Sequence, residues 1–117
     1  MKMDNSKIDK DGNLKQGVHQ EYFKNGSLSC TGSFKDGERI GEWKYYLANG
    51  QLKAIGNYLN GKMTGEWKWY RENGELMQTG SFDNDIKTGI WTRYRQDGKL
   101  MDKTEFLNGK KGKITKF

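Results

Sequence analysis

A period of 24 residues runs through most of the chain and constrains its fold more than any other feature. The segment GEWKYYLANG begins at Gly41, and the nearly identical GEWKWYRENG begins at Gly65. Four residue types keep this spacing: Gly17, Gly41, Gly65 and Gly89; Gly26, Gly50, Gly74 and Gly98; Trp43, Trp67 and Trp91; Tyr22, Tyr46, Tyr70 and Tyr94; Leu28, Leu52, Leu76 and Leu100. Residues 17–112 therefore hold four copies, each predicted to be one supersecondary unit packed against its neighbours.

Two turn signals divide each copy into two strands. Asn49-Gly50 and its equivalents suit a two-residue type I′ hairpin turn, whose central residues both need positive φ. We expect the second signal, Asn60-Gly61 in the same copy, to lie in a longer connection. The segments between the turns are about six to eight residues long and rich in aromatic and β-branched types, which indicates strands. We therefore predict an all-β fold, an elongated, twisted, single-sheet antiparallel β-meander of four 24-residue hairpin repeats and about eight strands.

The hairpin register follows from the first turn. A two-residue loop at Asn49-Gly50 would form three cross-strand pairs: Trp43 with Gly56, Tyr45 with Ala54, and Leu47 with Leu52. An indole opposite a residue without a side chain fills a sheet face without overpacking it. This pairing would explain why glycine recurs inside a strand, where it is otherwise unfavourable.

Alternation along the strands assigns the side chains to two faces. The aromatic face carries mostly apolar residues: Trp43, Tyr45, Leu47, Leu52, Ala54, Tyr58, Trp67, Trp69, Leu76 and Phe82. The polar face carries Glu42, Lys44, Tyr46, Lys53 and Asn57, and the other copies repeat the tyrosine. A single sheet has no second layer to cover its aromatic face, so we expect an exposed aromatic patch there, which is typical of an interaction site.

The two ends of the chain depart from the repeat. We predict that residues 1–16 form a lead-in or partial capping repeat, and that residues 113–117 form a loose basic tail. His19 takes the tryptophan position in the first copy, and Thr104 replaces glycine in the last. Terminal copies that lose the consensus are typical of repeat arrays, since each has a neighbour on one side only.

The segment GEWKYYLANGQLKAIGNYLNG resembles the MORN repeat (membrane occupation and recognition nexus) in its longer variant. The resemblance covers about residues 17–112. It implies an elongated, twisted antiparallel sheet that binds proteins or, in some relatives, acidic lipids. Proteins built almost wholly of this variant are commonly described as antitoxins of bacterial toxin–antitoxin pairs, so the resemblance also implies a bacterial, antitoxin-like role.

Groups that could perform catalysis are sparse in this sequence. Cys30 lies opposite Glu21 in the predicted hairpin, with His19 diagonal to it on the same face. Other copies fill these positions with Trp, Tyr or Ala, so we interpret all three as variable scaffold positions and predict that the protein is not an enzyme. A single cysteine excludes an internal disulfide framework and a zinc cluster, and no other spacing indicates a metal or a cofactor.

Charge and hydropathy give weaker constraints. The chain has 21 basic and 15 acidic residues, a net charge of +6 that permits contact with anionic surfaces without identifying one. No run approaches the roughly 20 apolar residues of a transmembrane helix. The start MKMDNSKIDKDG lacks the apolar segment of a signal peptide, so we expect a cytoplasmic protein.

The candidate contact residues come from the aromatic rows. Tyr45 and Trp69 are the first candidates for binding a partner, because the outer copies place Glu21 and Arg93 at their position. Trp43, Trp67 and Trp91 fit either a core role or partner contact. Tyr46 and Tyr70 on the polar face complete the set of candidates.

We expect the partner to be a protein, whether a toxin, an effector or a second copy of the chain. The alternative is peripheral binding to anionic lipids through Lys44, Lys68, Lys110 and Lys111. Binding of nucleic acid is not expected, because acidic residues are too frequent among the repeats.

Overall fold

The computed structural model describes residues 7–117, which form one antiparallel sheet of nine strands in sequential order. The strands are β1 Gly17–Tyr22, β2 Leu28–Lys35, β3 Glu38–Tyr46, β4 Leu52–Leu59, β5 Lys62–Tyr70, β6 Leu76–Asp83, β7 Ile86–Tyr94, β8 Leu100–Leu107 and β9 Lys110–Lys116. The described residues contain no α-helix, and the chain measures 52 × 34 × 22 Å along its principal axes. The predicted all-β, single-sheet meander of hairpin repeats is confirmed.

The C-terminal lysines belong to a strand. Residues predicted as a loose basic tail lie in β9, which pairs with β8 through contacts such as Thr104 with Ile114. Beyond β9, the Phe117 amide still donates to the carbonyl of Met101 at 3.0 Å. The tail prediction is wrong because charge alone does not prevent strand formation. The open edge of β8 offers backbone donors and acceptors that a following strand can satisfy.

The two turn types are exchanged relative to the prediction. Asn60 and Gly61 both have positive φ, at 50° and 80°, and Leu59 pairs directly with Lys62 across them. This is a two-residue loop with the backbone that a type I′ turn requires. The equivalent turns have the same conformation, including Asn84-Asp85 with φ of 54° and 70°. The connection that we expected to be longer is therefore the tighter one.

The turn at Asn49-Gly50 is a three-residue loop. Leu47 donates its amide to the Gln51 carbonyl at 2.8 Å, and Gly50 donates to the Leu47 carbonyl at 2.9 Å. Only Gly50 has positive φ, at 89°, while the Asn49 side chain accepts the amide of Gln51 at 2.9 Å. This is the pattern of a type I turn that ends in a glycine bulge, and the asparagine supplies a hydrogen bond instead of a left-handed backbone.

The longer loop changes the register at one end of the hairpin. The pairs of Trp43 with Gly56 and Tyr45 with Ala54 are confirmed. The expected pair of Leu47 with Leu52 is wrong, because the register shifts after Tyr45 and Leu52 pairs with Tyr46. The three-residue loop sets the pair of Tyr46 with Leu52. Lys53 then has no partner in this ladder, and this bulge restores the count from a two-residue loop from Tyr45 onward.

The glycine inside each second strand contacts the indole of the following repeat. A Cβ at Gly56 would lie 1.9 Å from Cδ2 of Trp67, and the same clash would occur between Gly32 and Trp43. The Trp67 indole also donates its Nε1–H to the Asn57 carbonyl at 3.2 Å. Trp43 is the backbone partner of Gly56, as predicted, but the ring that needs the space comes from the next hairpin.

This contact explains where the glycine is retained and where it is lost. Gly32 persists although its partner is His19, because Trp43 still lies on it. Thr104 replaces glycine in the last copy, where the facing residue of β9 is Ile114 and no tryptophan follows. The glycine is thus a requirement of the junction between repeats rather than of the hairpin itself.

The described part of the N-terminal segment packs on the first tight turn. Ile8 forms an isolated bridge with Leu14, and Lys7 forms an ion pair with Glu38 at 2.7 Å. The Gly37 amide donates to the carbonyl of residue 15 at 2.9 Å. The remaining part of the predicted lead-in, residues 1–6, lies outside the described residues.

Candidate functional site: the aromatic face

Five rings form one continuous stack across the middle of the sheet. Their order is Trp43, Tyr45, Trp67, Trp69 and Trp91, with centroid separations of 6.2, 6.3, 6.2 and 5.3 Å. The interplanar angles of 27° to 30° are those of stacked or tilted rings. Rings from the same strand and from neighbouring repeats alternate, so the stack connects the repeats to one another.

A second row of rings meets this stack edge-on. Phe34 contacts Trp43 at 5.1 Å, and Tyr58 contacts Trp67 at 5.2 Å, both in T-shaped geometry. Phe82 and Phe106 occupy the same row farther along the sheet. Because the two rows interlock, the face buries its tryptophans without a second layer of secondary structure.

The three repeat tryptophans are core residues in this chain. Trp43, Trp67 and Trp91 are only 2%, 3% and 4% exposed. Each is fixed on one side by a glycine of the preceding hairpin and on the others by neighbouring rings. Of the two roles that their spacing left open, the structure places them in the core, where they offer almost no surface to a partner.

Tyr45 and Trp69 are the rings of the stack that keep partial exposure. The Tyr45 hydroxyl lies 2.8 Å from the Tyr58 hydroxyl, and burial together with this hydrogen bond raises the pKa of Tyr45 well above its usual range. Tyr45 therefore stays neutral and presents a hydrogen-bonding group beside apolar ring surface. Contact of Tyr45 and Trp69 with a partner stays a prediction, and both side chains are partly accessible.

A groove of about 730 Å³ adjoins Trp69 where the sheet meets its three-residue loops. Its walls include Leu47, Tyr70, Arg71 and Met77. The Arg71 guanidinium donates from Nη2 to the Tyr94 carbonyl at 2.8 Å, which fixes one wall against the next repeat. The groove thus joins apolar and polar groups next to the exposed edge of the ring stack.

A row of mostly basic side chains covers the aromatic face at the tight-turn end. It consists of Lys15, Arg39, Met63 and Lys87, each two residues before the first glycine of a copy. Arg39 lies over Trp43 at 5.1 Å, and Lys87 over Trp91 at 4.6 Å. These distances allow cation–π attraction. Sequence reasoning missed this row, although its members recur at the same 24-residue spacing as the tryptophans.

The last copy carries an ion pair where the middle copies carry rings. Arg93 takes the position of Tyr45 and Trp69, and its guanidinium donates to both oxygens of Asp102 at 3.0 and 2.5 Å. Asp102 is only 5% exposed. The hydrogen bonds from Arg93 hold the pKa of the Asp102 carboxyl below its usual range, with a further contribution from the charge of Lys116.

The polar face presents its candidate residues differently. Tyr46 and Tyr70 are partly buried there. Lys44 lies 3.8 Å from Glu42, and Lys68 lies 3.6 Å from Glu66, so each lysine has a carboxylate neighbour on its own strand. Lys110 and Lys111 are exposed on β9, away from this pair of lysines. The four lysines of the lipid alternative therefore do not form one cluster.

The groups considered for catalysis make different contacts in the structure. The Cys30 thiol donates to Glu21 at 3.5 Å, whereas the His19 ring packs edge-on against Phe34 at 4.9 Å. Burial, followed by the charge of Glu21, raises the pKa of the Cys30 thiol, which disfavours the nucleophilic thiolate. Within residues 7–117, no three His, Cys, Asp or Glu side chains are grouped to hold a metal ion. The same residues form no helix long and apolar enough to span a membrane.

Comparison with known protein families finds four consecutive matches to one model, which is described as a MORN repeat variant. The matched residues are 15–36, 39–60, 63–84 and 87–108. Each match begins at a member of the row that covers the aromatic face, and together they span more than half of the chain. A search of curated proteins found no similar sequence.

Proposed function

The chain belongs to the family of MORN repeat variants, and we propose that it is a non-enzymatic scaffold that binds a protein partner through its aromatic face. The observation that supports this most is the partial exposure of Tyr45 and Trp69 within a ring stack that is otherwise buried. Tryptophan and tyrosine are the residues that most often dominate binding energy in protein interfaces. A groove beside Trp69 gives a partner side chain a place to enter.

The rigidity of the stack favours this face over the polar one. Each exposed ring is held between buried rings, as Trp69 is between Trp67 and Trp91, so little conformational freedom is lost when a partner covers it. On the polar face, by contrast, Lys44 and Lys68 already interact with neighbouring glutamates. Contacts there would have to compete with existing ion pairs and with water.

The resemblance to antitoxin-associated repeats suggests a toxin or effector protein as the partner. The alternative protein partner is a second copy of the chain. Both would cover the same rings. Size-exclusion chromatography of the purified chain separates self-association from binding to a different protein. The proposal requires only that the covered surface includes Tyr45 and Trp69.

One ring from each face provides the test. Trp69→Ser is expected to abolish capture of a partner, because it removes the largest accessible ring of the aromatic face. Tyr46→Ser removes a ring of the polar face that does not line the groove beside Trp69, and it should leave capture intact. Both variants are compared with the unchanged chain as baits in lysate from the source cells, with bound proteins identified by mass spectrometry.

Circular dichroism and thermal melts of both variants serve as the folding control. If Trp69→Ser unfolds the sheet, Trp69→Arg is the replacement to use, since the last copy holds Arg93 at this position. A folded Trp69 variant that still captures the same proteins, or loss of capture in Tyr46→Ser alone, would contradict the proposal. Sedimentation with phosphatidylserine vesicles that fails in Lys44→Gln/Lys68→Gln would instead support lipid binding by the polar face.

A further inference from the structure

A concave pocket lies at the C-terminal end of the aromatic face, between β7, β8 and β9. Its volume is about 360 Å³. Four cationic side chains and one carboxylate line it: Lys87, Arg93, Lys111, Lys116 and Asp102. Trp91 and Phe106 contribute ring surface to the same pocket. The pocket is thus strongly basic and partly aromatic at once.

The single carboxylate of this pocket is already engaged. Arg93 donates to both oxygens of Asp102, which is nearly buried. Lys87 stands 4.6 Å from the ring centre of Trp91 and 5.1 Å from that of Phe106. Among the described residues, neither Lys87 nor Lys111 forms an ion pair, so two accessible cations lack an anionic neighbour.

The corresponding pocket near the N-terminal end has a different charge balance. It has a similar volume of about 380 Å³, and Arg39 lies in it. Two carboxylates line it as well: Glu38 pairs with Lys7, and Asp85 accepts the Met63 amide at 2.6 Å. With Lys7, Arg39 and Lys62, that pocket has three cations against two carboxylates, whereas the C-terminal pocket has four cations against one, so the excess of positive charge is larger in the C-terminal pocket.

From this charge distribution we infer that the C-terminal pocket binds an acidic segment of a protein partner, with partner carboxylates at Lys87 and Lys111. The inference rests on the proposed binding function of the aromatic face and specifies the chemistry of the partner. An acidic segment fits because the pocket continues into the ring stack through the contact of Trp91 with Trp69 at 5.3 Å. Apolar side chains of the same segment can then cover Trp69 while its carboxylates meet the lysines.

The third copy of the repeat supplies the variant for the test. Met63 holds the position of Lys87 and packs against the core there, so Lys87→Met removes the charge and keeps a side chain that this position accepts. Lys111→Met does the same at the next equivalent position, which faces Phe106. The matched control is Lys68→Met/Lys103→Met, which removes two charges from the polar face.

Three fluorescent peptides of equal length serve as probes, with leucine at alternate positions and glutamate, glutamine or lysine between them. Fluorescence polarisation with the full chain should show the tightest binding for the glutamate peptide and the weakest for the lysine peptide. Lys87→Met/Lys111→Met should weaken binding of the glutamate peptide roughly fivefold or more, and added salt should reduce the remaining preference. The control variant should keep the preference.

Three outcomes would overturn the inference: no binding of the glutamate peptide, equal affinity for all three peptides, or an unchanged preference in the Lys87→Met/Lys111→Met variant. Equal affinities that are all lost in Trp69→Ser would leave the aromatic face as a binding site and reject only its acidic preference. Binding of phosphatidylserine vesicles that depends on Lys87 and Lys111, without peptide binding, would assign the pocket to lipid headgroups and reject the inference.

Discussion

The middle repeats and the last repeat have the same strand pairing but carry different side chains at two equivalent positions. In strands β3 to β6 the variable positions carry Tyr45 beside Ala54 and Trp69 beside Gln78. In strands β7 and β8 the same pair of positions carries Arg93 beside Asp102. The middle therefore presents ring surface, whereas the C-terminal end presents charge.

The two regions nevertheless share their internal packing. Trp67 and Trp91 are both buried, and each lies on a glycine of the preceding hairpin. Each also donates from its indole Nε1 to a backbone carbonyl ten residues earlier, at 3.2 Å in both cases. The repeat thus fixes the junction between hairpins and leaves the neighbouring position free to vary, which separates folding from recognition.

The largest expected effect comes from placing threonine, which the last repeat holds at position 104, at the equivalent glycine of the middle repeats, Gly80. Gly80→Thr places a Cβ about where Trp91 now lies, since an ideal Cβ would be 2.1 Å from Trp91 Cδ2. We expect it to lower the free energy of unfolding by about 3 kcal/mol or more, because the indole must leave its site. Urea denaturation followed by tryptophan fluorescence measures this change.

The reverse exchange in the last repeat is the control. Thr104→Gly should cost about 1 kcal/mol or less, since no indole follows that needs the space and only the strand propensity changes. Similar losses for Gly80→Thr and Thr104→Gly would show that the glycine serves the hairpin itself, not the junction.

A smaller effect is expected from the ion pair of the last repeat. Arg93→Gln should lower the free energy of unfolding at neutral pH, and this difference from the unchanged chain should shrink in acid. Asp102 has a lowered pKa in the fold, so its pairing stabilises the protein above the usual pKa of an aspartate. That stabilisation is lost as the pH falls through the lowered value.

Urea denaturation at pH 7 and again near pH 2 measures the dependence. Lys53→Gln removes an exposed cation from the polar face and should show little change at either pH. If the Arg93→Gln difference is the same at both values, Arg93 contributes through neutral hydrogen bonds or packing and not through the charge of Asp102.

The smallest effect is expected at Cys30, which holds in the first repeat the position that Asp102 holds in the last. Cys30→Ala should change the free energy of unfolding by about 1 kcal/mol or less, since the next copy holds Ala54 there. Iodoacetamide should modify the Cys30 thiol more slowly than a free thiol at the same pH, because burial and Glu21 raise its pKa. Rapid modification in the folded chain would show an activated thiol and would argue against a purely structural role.

The sequence predicts features that depend on nearby residues better than features that depend on residues far apart in the chain. The 24-residue spacing of Trp43 and Trp67 gave the repeat, and the pairs of Trp43 with Gly56 and Tyr45 with Ala54 followed from counting. The turns were assigned in the wrong order, since Asn-Gly suits both a type I′ turn and a type I turn with a glycine bulge. Strand pairing on both sides of the dipeptide selects between them.

The candidate site was predictable in part. Alternation placed Tyr45 and Trp69 on one face, but it could not show that Trp43, Trp67 and Trp91 would be covered by rings from neighbouring hairpins. The row containing Arg39 and Lys87 was visible as a period in the sequence, yet its position over the rings depends on pairing with β2 and β6. Contacts between strands of different repeats are not encoded in the spacing within one repeat.

The sequence by itself determined the architecture, because turn residues and alternating side chains act over a few positions and repeat four times. Only the tertiary structure decided which rings are buried, that the terminal lysines form β9, and that Lys87 and Lys111 lack a carboxylate partner among the described residues. These properties depend on how neighbouring hairpins meet. Burial and charge pairing are set by distances between residues far apart in the chain.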